Sequence, residues 1–549
     1  MEGGTPMVLL LGLFLLSLSG SVASPPPDPV ACARGGTYDC TVTNAYGSFP
    51  DRTICRAASI TFPRTEGELV AAAAKRKVKV ATGHSHSFPK LACPGAGRGD
   101  GALISTERLN RTVSVDREKM LMTVESGMVL RDLIWAAADA GLALPHSPCW
   151  YGLTIGGLLA TGAHGSSLWG KGSAVHEYVV GMRIVTPAPA DKGFVMVREL
   201  GVGDPELDAA KVSLGVLGAV SQVTQALQPM FKRSVTFLKR DDSDLAEQAT
   251  MWGRLYEFGD MGNGLNDYLG FRSNPTLGLI AIRATEELQE KGGDDITRCQ
   301  ASRALALAFE SQAYGFANDD NSFTEYPVVG FQHRIQASGT CISSRRDGMI
   351  NTSCPWDPRI PGLFFHSSGF SIALSNVSAF ISDMQQLRDL KPHAFCSIDA
   401  KLGVLLRYIR ASSAYLGKSE DSIDFDVTYY RSHTEGEPRA HSDVVDELEQ
   451  MALLKYGAVP HWGKNRNFAF NGAIGMYPNA GKFLKVKRSY DPDEIFSSEW
   501  SDQVLGIKGS PVIFGKRCAI EGLCVCSDHS HCTPERPGKV YKEARVCSR

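Results

Sequence analysis

The sequence predicts an α+β protein with more than one domain. The chain has 549 residues, of which 43% are hydrophobic and 21% are charged, a globular composition in a chain too long for a single core. Between residues 65 and 140, helices, single strands and a hairpin follow one another without the regular strand–helix alternation of a parallel sheet. Longer helical patterns interleaved with strands, from about 233 to 445, predict a second, mixed α/β domain.

The first 23 residues are typical of a secretory signal peptide. An apolar run from Met7 to Leu18 precedes Ser21-Val22-Ala23, a small-x-small cleavage site, and this run is too short to span a bilayer. The segment departs from the usual pattern because it carries Glu2 and no Lys or Arg, so a retained anchor is the alternative. We expect a secreted protein, with the cell wall or the vacuole as alternative destinations and no stable membrane insertion.

The cysteines and sequons agree with secretion. The chain has 14 cysteines, more than a reduced cytosolic enzyme usually carries, and they predict disulfides in the N-terminal segment 24–55 and the tail 511–549. Their pairing cannot be deduced from the sequence. The tail lacks a Cys-x-x-Cys pair beside His529 and His531, so we expect no metal site. Three sequons, at Asn110, Asn351 and Asn376, predict a glycoprotein.

The charge balance excludes one class of partner. The formal net charge is −2, and no cluster of Lys and Arg with interleaved aromatic residues occurs in the sequence. Nucleic acid is therefore not an expected partner, and a small molecule is.

The elements follow in order from local patterns. A helix is predicted from Thr65, its N-cap, to Lys77, and it leads into a strand from Val78 to Ala81. Alternation then predicts further elements, which are a strand at 102–105, a hairpin formed by 113–116 and 120–125, a helix at 130–140 and a strand at 221–227. In the second half we predict helices at 242–258, 377–390 and 443–456 and a strand at 278–283.

A polar turn after the strand 78–81 is the first candidate binding segment. Small residues let successive backbone N–H groups converge on phosphate oxygens, and an imidazole follows the glycine. The alternative is a solvated loop with a structural histidine. The candidate residues are Ala81, Thr82, Gly83, His84, Ser85, His86 and Ser87.

Two later segments are also rich in glycine and small residues. Their candidate residues are Gly156, Gly157, Thr161, Gly162, His164 and Gly165 in the first, and Gly215, Gly218 and Val220 in the second. Each could be a hinge, but three such segments bounded by apolar structure within about 140 residues favour one shared site. The glycines at 95–101 lack the flanking strand and helix of a Rossmann site, and no Walker loop is present.

These motifs resemble a known family of flavoproteins. Gly83-His84-Ser85, the 154–165 segment, Ser213 to Gly218 and His461-Trp-Gly-Lys464 occur in the order found in aldonolactone oxidases, within the vanillyl-alcohol-oxidase type. The mature chain resembles the secreted plant L-gulonolactone oxidases, a likeness carried further by four stretches, Leu405 to Tyr408, Ala414 to Gly417, His461 to Asn465 and Glu521 to Cys526.

The resemblance implies a cofactor and a domain plan. A PCMH-type FAD-binding domain of two α+β subdomains would span 56–232, followed by a substrate-binding cap at 233–450, a segment with the His-Trp-Gly-Lys motif at 451–510 and a Cys-rich tail at 511–549. FAD would lie between the subdomains, with its pyrophosphate on the turn 81–87 and the loop 154–165. His84 would carry a covalent 8α-histidyl bond to the flavin, and His86 is the competing candidate.

The resemblance also implies catalytic residues, which are Arg407, His461 and Lys464. His461 and Lys464 would share one face if their segment were helical. The structural alternatives are a helix end for this pair and a strand-borne ion pair for Arg407. Many aldonolactone oxidases have Glu-x-Arg where this chain has Leu405-Leu-Arg407, so a carboxylate partner is absent from position 405 and we expect substrate fit to differ.

The expected function is that of a secreted FAD-dependent oxidase. It would convert L-gulono-1,4-lactone, or a close aldonolactone, to L-ascorbate and reduce O2 to H2O2. Pro148 favours reaction with oxygen by resemblance, and a second flavin link at Cys149 is less favoured than a buried or disulfide-bonded thiol. The alternatives are a flavin oxidase or dehydrogenase acting on another sugar acid or polyol, and a non-catalytic extracellular glycoprotein on the same fold. The sequence leaves the oligomeric state and the catalytic base open.

Overall fold

The computed structural model describes residues 30–43, 54–74, 77–81, 87, 89–148, 150–255, 268–271, 294–311, 316–318, 323, 325–335, 364–396, 404–431, 440–511 and 539–546. Its strands are β1 (Val30–Cys32), β2 (Tyr38–Val42), β3 (Cys55–Thr61), β4 (Val78–Ala81), β5 (Ala102–Ser105), β6 (Thr112–Asp116), β7 (Leu121–Glu125), β8 (Leu142–Ala143), β9 (Val179–Pro187), β10 (Val195–Gly201), β11 (Ala219–Ala226), β12 (Gln228–Pro229), β13 (Lys232–Val235), β14 (Tyr268–Phe271), β15 (Phe316–Asn318), β16 (Val328–Phe331), β17 (Phe364–Ala373), β18 (Leu405–Ile409), β19 (Ser422–Arg431) and β20 (Val459–Pro460). Its α-helices are α1 (Glu66–Ala73), α2 (Leu130–Asp139), α3 (Ile155–Ala160), α4 (Pro205–Ala210), α5 (Leu245–Leu255), α6 (Asp295–Ser311), α7 (Gln332–Ile335), α8 (Leu374–Leu390), α9 (Ser442–Gln450), α10 (Ala480–Tyr490) and α11 (Glu499–Val504). The predicted α+β class is confirmed.

The first sheet is built from the N-terminal strands in the order β1-β2-β3-β5-β4. Strand β5 runs parallel to both β3 and β4, and the predicted strands 78–81 and 102–105 are confirmed. Thr65 caps α1 as predicted, because its Oγ1 accepts a hydrogen bond of 3.2 Å from the Glu68 N–H. The helix ends at Ala73, earlier than the predicted end at Lys77.

The second sheet is antiparallel, in the order β10-β9-β11-β7-β6. It contains the predicted hairpin, β6 with β7, and the predicted strand near 221–227 as β11. The predicted helix 130–140 is α2, and its apolar side, which includes Leu133 and Ile134, packs into the main core.

The segment 154–165 begins as a helix, so its prediction as a loop was wrong for residues 155–160. Helix α3 forms in spite of its two glycines because a neighbouring segment holds its first turn. The Ile155 N–H donates to the Met128 carbonyl oxygen over 2.9 Å, and the Gly156 N–H donates to the Ser126 carbonyl oxygen over 2.7 Å. Tertiary hydrogen bonds thus satisfy the free N–H groups at the start of this helix.

The third large sheet has the order β18-β19-β17-β20, and its two faces differ in polarity. One face carries apolar side chains that share a core with α8 and α9, among them Phe370, Ile372, Ile423, Phe425 and Val427. The predicted helix 377–390 is α8, and 242–258 contains α5. The predicted helix 443–456 is α9 followed by a π-helical turn from Met451 to Lys455. The predicted strand 278–283 lies outside the described residues.

The C-terminal segment returns to the core of the N-terminal half. Trp462, Phe470, Tyr477, Phe483 and Trp500 belong to the same hydrophobic cluster as the residues of α2, α3 and β7. The Trp462 ring stacks on Phe470 with a centroid separation of 5.7 Å. The turn that begins at His461 is therefore anchored between the second and third sheets. The domain boundaries themselves stay predictions.

Three disulfides join described cysteines, Cys32 to Cys40, Cys55 to Cys93, and Cys299 to Cys396. The tail cysteines from 518 to 532 and Cys547 lie outside the described residues, as does Asn351, whereas Asn110 and Asn376 are exposed. In the described part of the chain, no helix has both the length and the apolar character needed to cross a membrane.

Candidate active site

The polar face of the third sheet meets the second glycine-rich segment. The Ser167 N–H donates to the Tyr408 carbonyl oxygen over 2.8 Å. Arg407, on β18, donates from Nη1 to the His164 carbonyl oxygen over 3.2 Å. Two segments that are 243 residues apart in sequence thus form one wall of a common site.

The first and third predicted cofactor segments also come together. Ala81 is buried at the end of β4, and Lys79, two residues earlier, donates from Nζ to the carbonyl oxygens of Leu214 at 3.2 Å and Gly215 at 3.4 Å. Burial lowers the pKa of Lys79 to about 7. Ser87 is half-buried, whereas residues 82–86, including His84 and His86, lie outside the described residues. The covalent link at His84 stays a prediction.

Two of the glycines are required by the chain's own backbone. A Cβ on Gly165 would lie 2.6 Å from the Ser147 carbonyl oxygen, and one on Gly218 would lie 2.4 Å from the Val185 carbonyl oxygen. No larger residue fits at these close approaches. Their direct contact with a cofactor stays a prediction, as does that of Val220, which lies in β11 opposite Ile184.

Buried hydroxyls between the first and second segments fit FAD. The Thr106 and Ser126 hydroxyls are buried and have no hydrogen-bond partner among the described residues. The Thr106 N–H donates to the Ala81 carbonyl oxygen over 3.0 Å, so this residue adjoins the first segment. Ser126 contacts Gly156, as described above. Unsatisfied buried hydroxyls are costly unless a ligand pairs with them, and the phosphate and ring acceptors of FAD could do so.

His164 lies in the wall between these segments and the polar face. Its Nδ1 is 2.9 Å from the Gly165 carbonyl oxygen, which can only accept, so Nδ1 carries the proton and Nε2 the lone pair of the neutral ring. Among the described residues, this Nε2 has no hydrogen-bond partner, and it lies 3.6 Å from Asp424 Oδ2. Burial, together with the positive charge of Arg407, lowers the pKa of His164 to about 4. The ring is therefore neutral near pH 7.

His461 presents the opposite tautomer. Its Nδ1 accepts a hydrogen bond of 3.0 Å from the Gly463 N–H, so Nε2 carries the proton of the neutral ring and is a donor. Burial and the neighbouring His164 lower its pKa well below the usual value. The centroids of the two imidazoles are 5.4 Å apart.

The segment from His461 to Lys464 is a turn, so the helical face considered for this pair does not form. The turn is closed by a 3.1 Å hydrogen bond from the Lys464 N–H to the His461 carbonyl oxygen. It is held against β17 because the His461 N–H donates to the Gly369 carbonyl oxygen over 2.8 Å, and Asn465 Nδ2 donates to the same oxygen over 2.7 Å. The turn places His461 and Lys464 beside the sheet.

Two carboxylates, Asp424 and Asp426, complete the cluster, and neither was predicted. Arg407 donates from one terminal nitrogen to Asp424 Oδ2 over 2.9 Å and also to Asp426 Oδ2, and Lys464 donates to Asp426 Oδ1. Ser371 Oγ donates to Asp424 Oδ1 over 2.9 Å. Arg407 is thus the strand-borne ion pair that the structural alternative described, in a cluster that also contains His164, His461 and Lys464.

The signal for these carboxylates was present in the sequence. In Ser422-Ile-Asp-Phe-Asp-Val-Thr428, polar residues alternate with apolar ones, which predicts a strand with one polar face. Which surface that face would meet depends on tertiary pairing and is not encoded locally.

The remaining predicted residues have structural contacts. Thr161 Oγ1 donates to the Gly157 carbonyl oxygen over 3.2 Å at the end of α3. Gly162 has a left-handed φ of 66°. Pro148 is buried next to Ser147, and Cys149 lies outside the described residues. No group of three or more His, Cys, Asp or Glu side chains in the described ranges is arranged to hold a metal ion.

Comparisons with known proteins converge on one family. Residues 57–188 match a family model described as an FAD binding domain, residues 363–504 a model for D-arabinono-1,4-lactone oxidase, and residues 515–549 a model for the C-terminal domain of L-gulonolactone oxidase 2-like proteins. The chain is 49% identical to L-gulonolactone oxidase 2 of Arabidopsis thaliana, over 98% of this chain and 97% of that protein. It is 50% identical to probable L-gulonolactone oxidase 6 of the same plant, over 96% and 93%.

A solved structure shares the fold. A solvent-stable cholesterol oxidase aligns with a TM-score of 0.63 at 14% identity, covering 88% of this chain and 100% of that one. At this identity the likeness concerns the fold alone.

Proposed function

Because the chain belongs to the family of plant L-gulonolactone oxidases, we propose that it oxidises L-gulono-1,4-lactone, or a close aldonolactone, to L-ascorbate and reduces O2 to H2O2. It is an FAD-dependent oxidoreductase. The observation that carries the proposal is the cluster formed by Arg407, Asp426 and Lys464 beside two neutral imidazoles, on the face of the sheet that meets the FAD-binding domain.

The chemistry requires a secondary alcohol to lose a hydride from carbon and a proton from oxygen. Bound FAD supplies the acceptor for the hydride. The His164 lone pair on Nε2 is available for the hydroxyl proton, and Asp424, 3.6 Å away, would stabilise the imidazolium that forms. His461 Nε2–H and the Lys464 ammonium are donors for the lactone oxygens. Arg407 orients Asp424 and Asp426.

We propose that FAD is held by the turn 81–87, the segment 154–165 and the segment 213–220, with His84 as the covalent attachment. The hydroxyls of Thr106 and Ser126, which have no hydrogen-bond partner in the described part of the chain, support this arrangement. The link between Lys79 and the Leu214 carbonyl oxygen supports it as well, because it joins the first and third segments. We base the proposed reaction of the enzyme with O2 on the presence of Pro148.

We also propose that the protein is secreted as a glycoprotein. Three disulfides among the described cysteines are in keeping with an oxidising compartment. Asn110 and Asn376 lie at exposed positions that a glycosyltransferase could reach.

One preparation tests the proposal. The protein secreted by a eukaryotic host is expected to be yellow, to keep flavin after acid precipitation, and to release peroxide with L-gulono-1,4-lactone. A colourless protein would contradict the enzyme assignment. The His84→Ala variant, with His86→Ala as the matched control, tests the linkage, since only the first should lose acid-stable flavin.

A second candidate is the oxidation of another polyol or sugar acid, which the leucine at position 405 favours. A panel of aldonolactones, aldonates and alditols in the same peroxide assay separates the two candidates. Turnover of an alditol without turnover of any lactone would favour the second candidate function over the first.

A further inference from the structure

Asp426 lies at the centre of the polar face of the third sheet. The strand register places it opposite Leu405 of β18 on one side and opposite Gly369 of β17 on the other. Arg407 and Asp424 are the next cross-strand pair on the same face. A carboxylate therefore lies on the same face, directly across the strands from position 405.

Gly369 makes room for this carboxylate. A Cβ at Gly369 would lie 2.8 Å from Asp426 Oδ1, 3.1 Å from Lys464 Cδ and 3.5 Å from His461 Cβ. The space above the glycine is thus filled by the two partners of one ion pair. Asp426 uses one oxygen for Lys464 and the other for Arg407, and its side chain is only 6% exposed.

The opposite charges of the cluster are paired with one another. Arg407 and Lys464 contribute two positive charges that contact the carboxylates of Asp424 and Asp426, and Lys418 adds a further positive charge nearby. Without Asp426, Arg407 would keep only Asp424 and Lys464 would lose the carboxylate that it contacts, so a partly buried cation would be open to a substrate carboxylate. With Asp426 in place, both donors are already paired with a carboxylate, and the nearby negative oxygens of Asp426 make a second anion less favourable there.

We infer that Asp426 makes this site select a neutral polyhydroxylated lactone over the ring-opened aldonate anion. The inference rests on the proposed function for the class of substrate. Opening the ring of a 1,4-lactone releases a carboxylate and one hydroxyl and leaves the other hydroxyls unchanged, so a charge at the site is the simplest means to separate the two molecules. Asp426 can also accept hydrogen bonds from lactone hydroxyls, whereas it cannot pair with a second carboxylate.

The test measures aldonate binding on the flavin-loaded enzyme by calorimetry, with L-gulonate as the probe. Asp426→Asn keeps the shape and removes the charge, and it is expected to raise the affinity for gulonate by at least about tenfold, the factor equivalent to ~1.4 kcal/mol. The KM for gulono-1,4-lactone is expected to rise in the same variant. An unchanged gulonate affinity in Asp426→Asn would overturn the inference.

A second variant leaves the residues of the ion bridge unchanged. Leu405→Lys adds a cation on the same face, so it is expected to raise gulonate affinity in the same direction, whereas Leu405→Met is the neutral control. Should Asp426→Asn fail to accumulate, Leu405→Lys decides alone, and a gulonate affinity equal to that of Leu405→Met would contradict the inference. As a further control, Asp383→Asn removes the carboxylate that pairs with another lysine, Lys455, and it should change neither the affinity for gulonate nor the KM for the lactone.

The two proposals fail in different ways. Gulonate binding is measured by calorimetry and needs no turnover, so it tests the role of Asp426 in selectivity even if no lactone is oxidised. A wild-type enzyme that oxidises no aldonolactone would contradict the proposed function. A wild-type enzyme that oxidises the lactone while Asp426→Asn keeps the wild-type preference would contradict only the role of Asp426.

Discussion

Replacing Gly369 by Ala tests whether the ion bridge over the third sheet governs activity. The new Cβ would lie 2.8 Å from Asp426 Oδ1, whereas ordinary contact begins at 3.4 Å, so the carboxylate must move by about 0.6 Å (3.4 − 2.8). Such overpacking typically costs about 1–3 kcal/mol. Here the most movable atoms are those of Asp426 and Lys464, so most of this cost should appear as displacement of the bridge.

The expected result is a fall in kcat/KM for gulono-1,4-lactone of about 5- to 150-fold, the factor that corresponds to ~1–3 kcal/mol. The melting temperature should fall by only a few degrees, because the backbone pairing of β17 with β19 is kept. Peroxide release gives the first quantity and a thermal melt gives the second. Gly475→Ala is the matched control, since its Cβ would meet no atom of the described ranges within 4 Å. Wild-type kcat/KM in Gly369→Ala would refute the argument that this bridge is needed in its present position.

Three further predictions follow from the same geometry. His164 has a pKa of about 4 in the folded protein against 6.5 when unfolded, so the stability it contributes is present above about pH 6.5 and is lost as pH falls towards about 4. Thermal melts across this range should show a smaller fall in melting temperature with pH for His164→Gln than for the wild type. The same pH dependence in both proteins would contradict this prediction. In Arg407→Lys, the shorter set of donors cannot reach both carboxylates and the His164 carbonyl oxygen, so kcat/KM should fall by about 100-fold with little change in flavin content. A smaller loss of kcat/KM than in Gly369→Ala would argue against Arg407 as the residue that orients the two carboxylates. Thr65→Ala removes the N-cap of α1 and should lower the free energy of unfolding by about 1 kcal/mol in urea titrations, without changing the KM.

The elements that the sequence predicted well are those with local causes. The N-cap at Thr65, the strand 78–81 and the hairpin around 112–125 are specified by capping and by period-2 alternation, and the structure forms them with small changes in their ends. Helix α3 was missed because two glycines argue against a helix locally. Hydrogen bonds from residues 155 and 156 to the segment 126–128 override that preference.

The candidate site was predicted only in part, because only some of its residues belong to a local sequence motif. His164, Arg407, His461 and Lys464 were identified from motifs, and the structure brings all four together. The carboxylates were not identified, since Asp424 and Asp426 gain their partners only through the pairing of β19 with β18 and β17. The sequence alone shows that position 405 carries no glutamate, whereas the carboxylate of Asp426 beside this position becomes apparent only from the strand pairing.

The burial of each charged side chain in the cluster indicates which role that residue has. The exposed fraction of the side chain rises from 0% for Asp424 to 6% for Asp426, 14% for Arg407 and 21% for Lys464. Burial alone would raise the pKa of Asp424, but His164, Arg407 and Lys464 hold it well below the usual value, so it stays ionised without solvent. Removing one partner of such a buried pair typically costs about 3–5 kcal/mol, because the other charge is left uncompensated. Asp424 is therefore the buried charge that fixes Arg407, and the more exposed pair, Asp426 with Lys464, is the part of the cluster nearest to solvent.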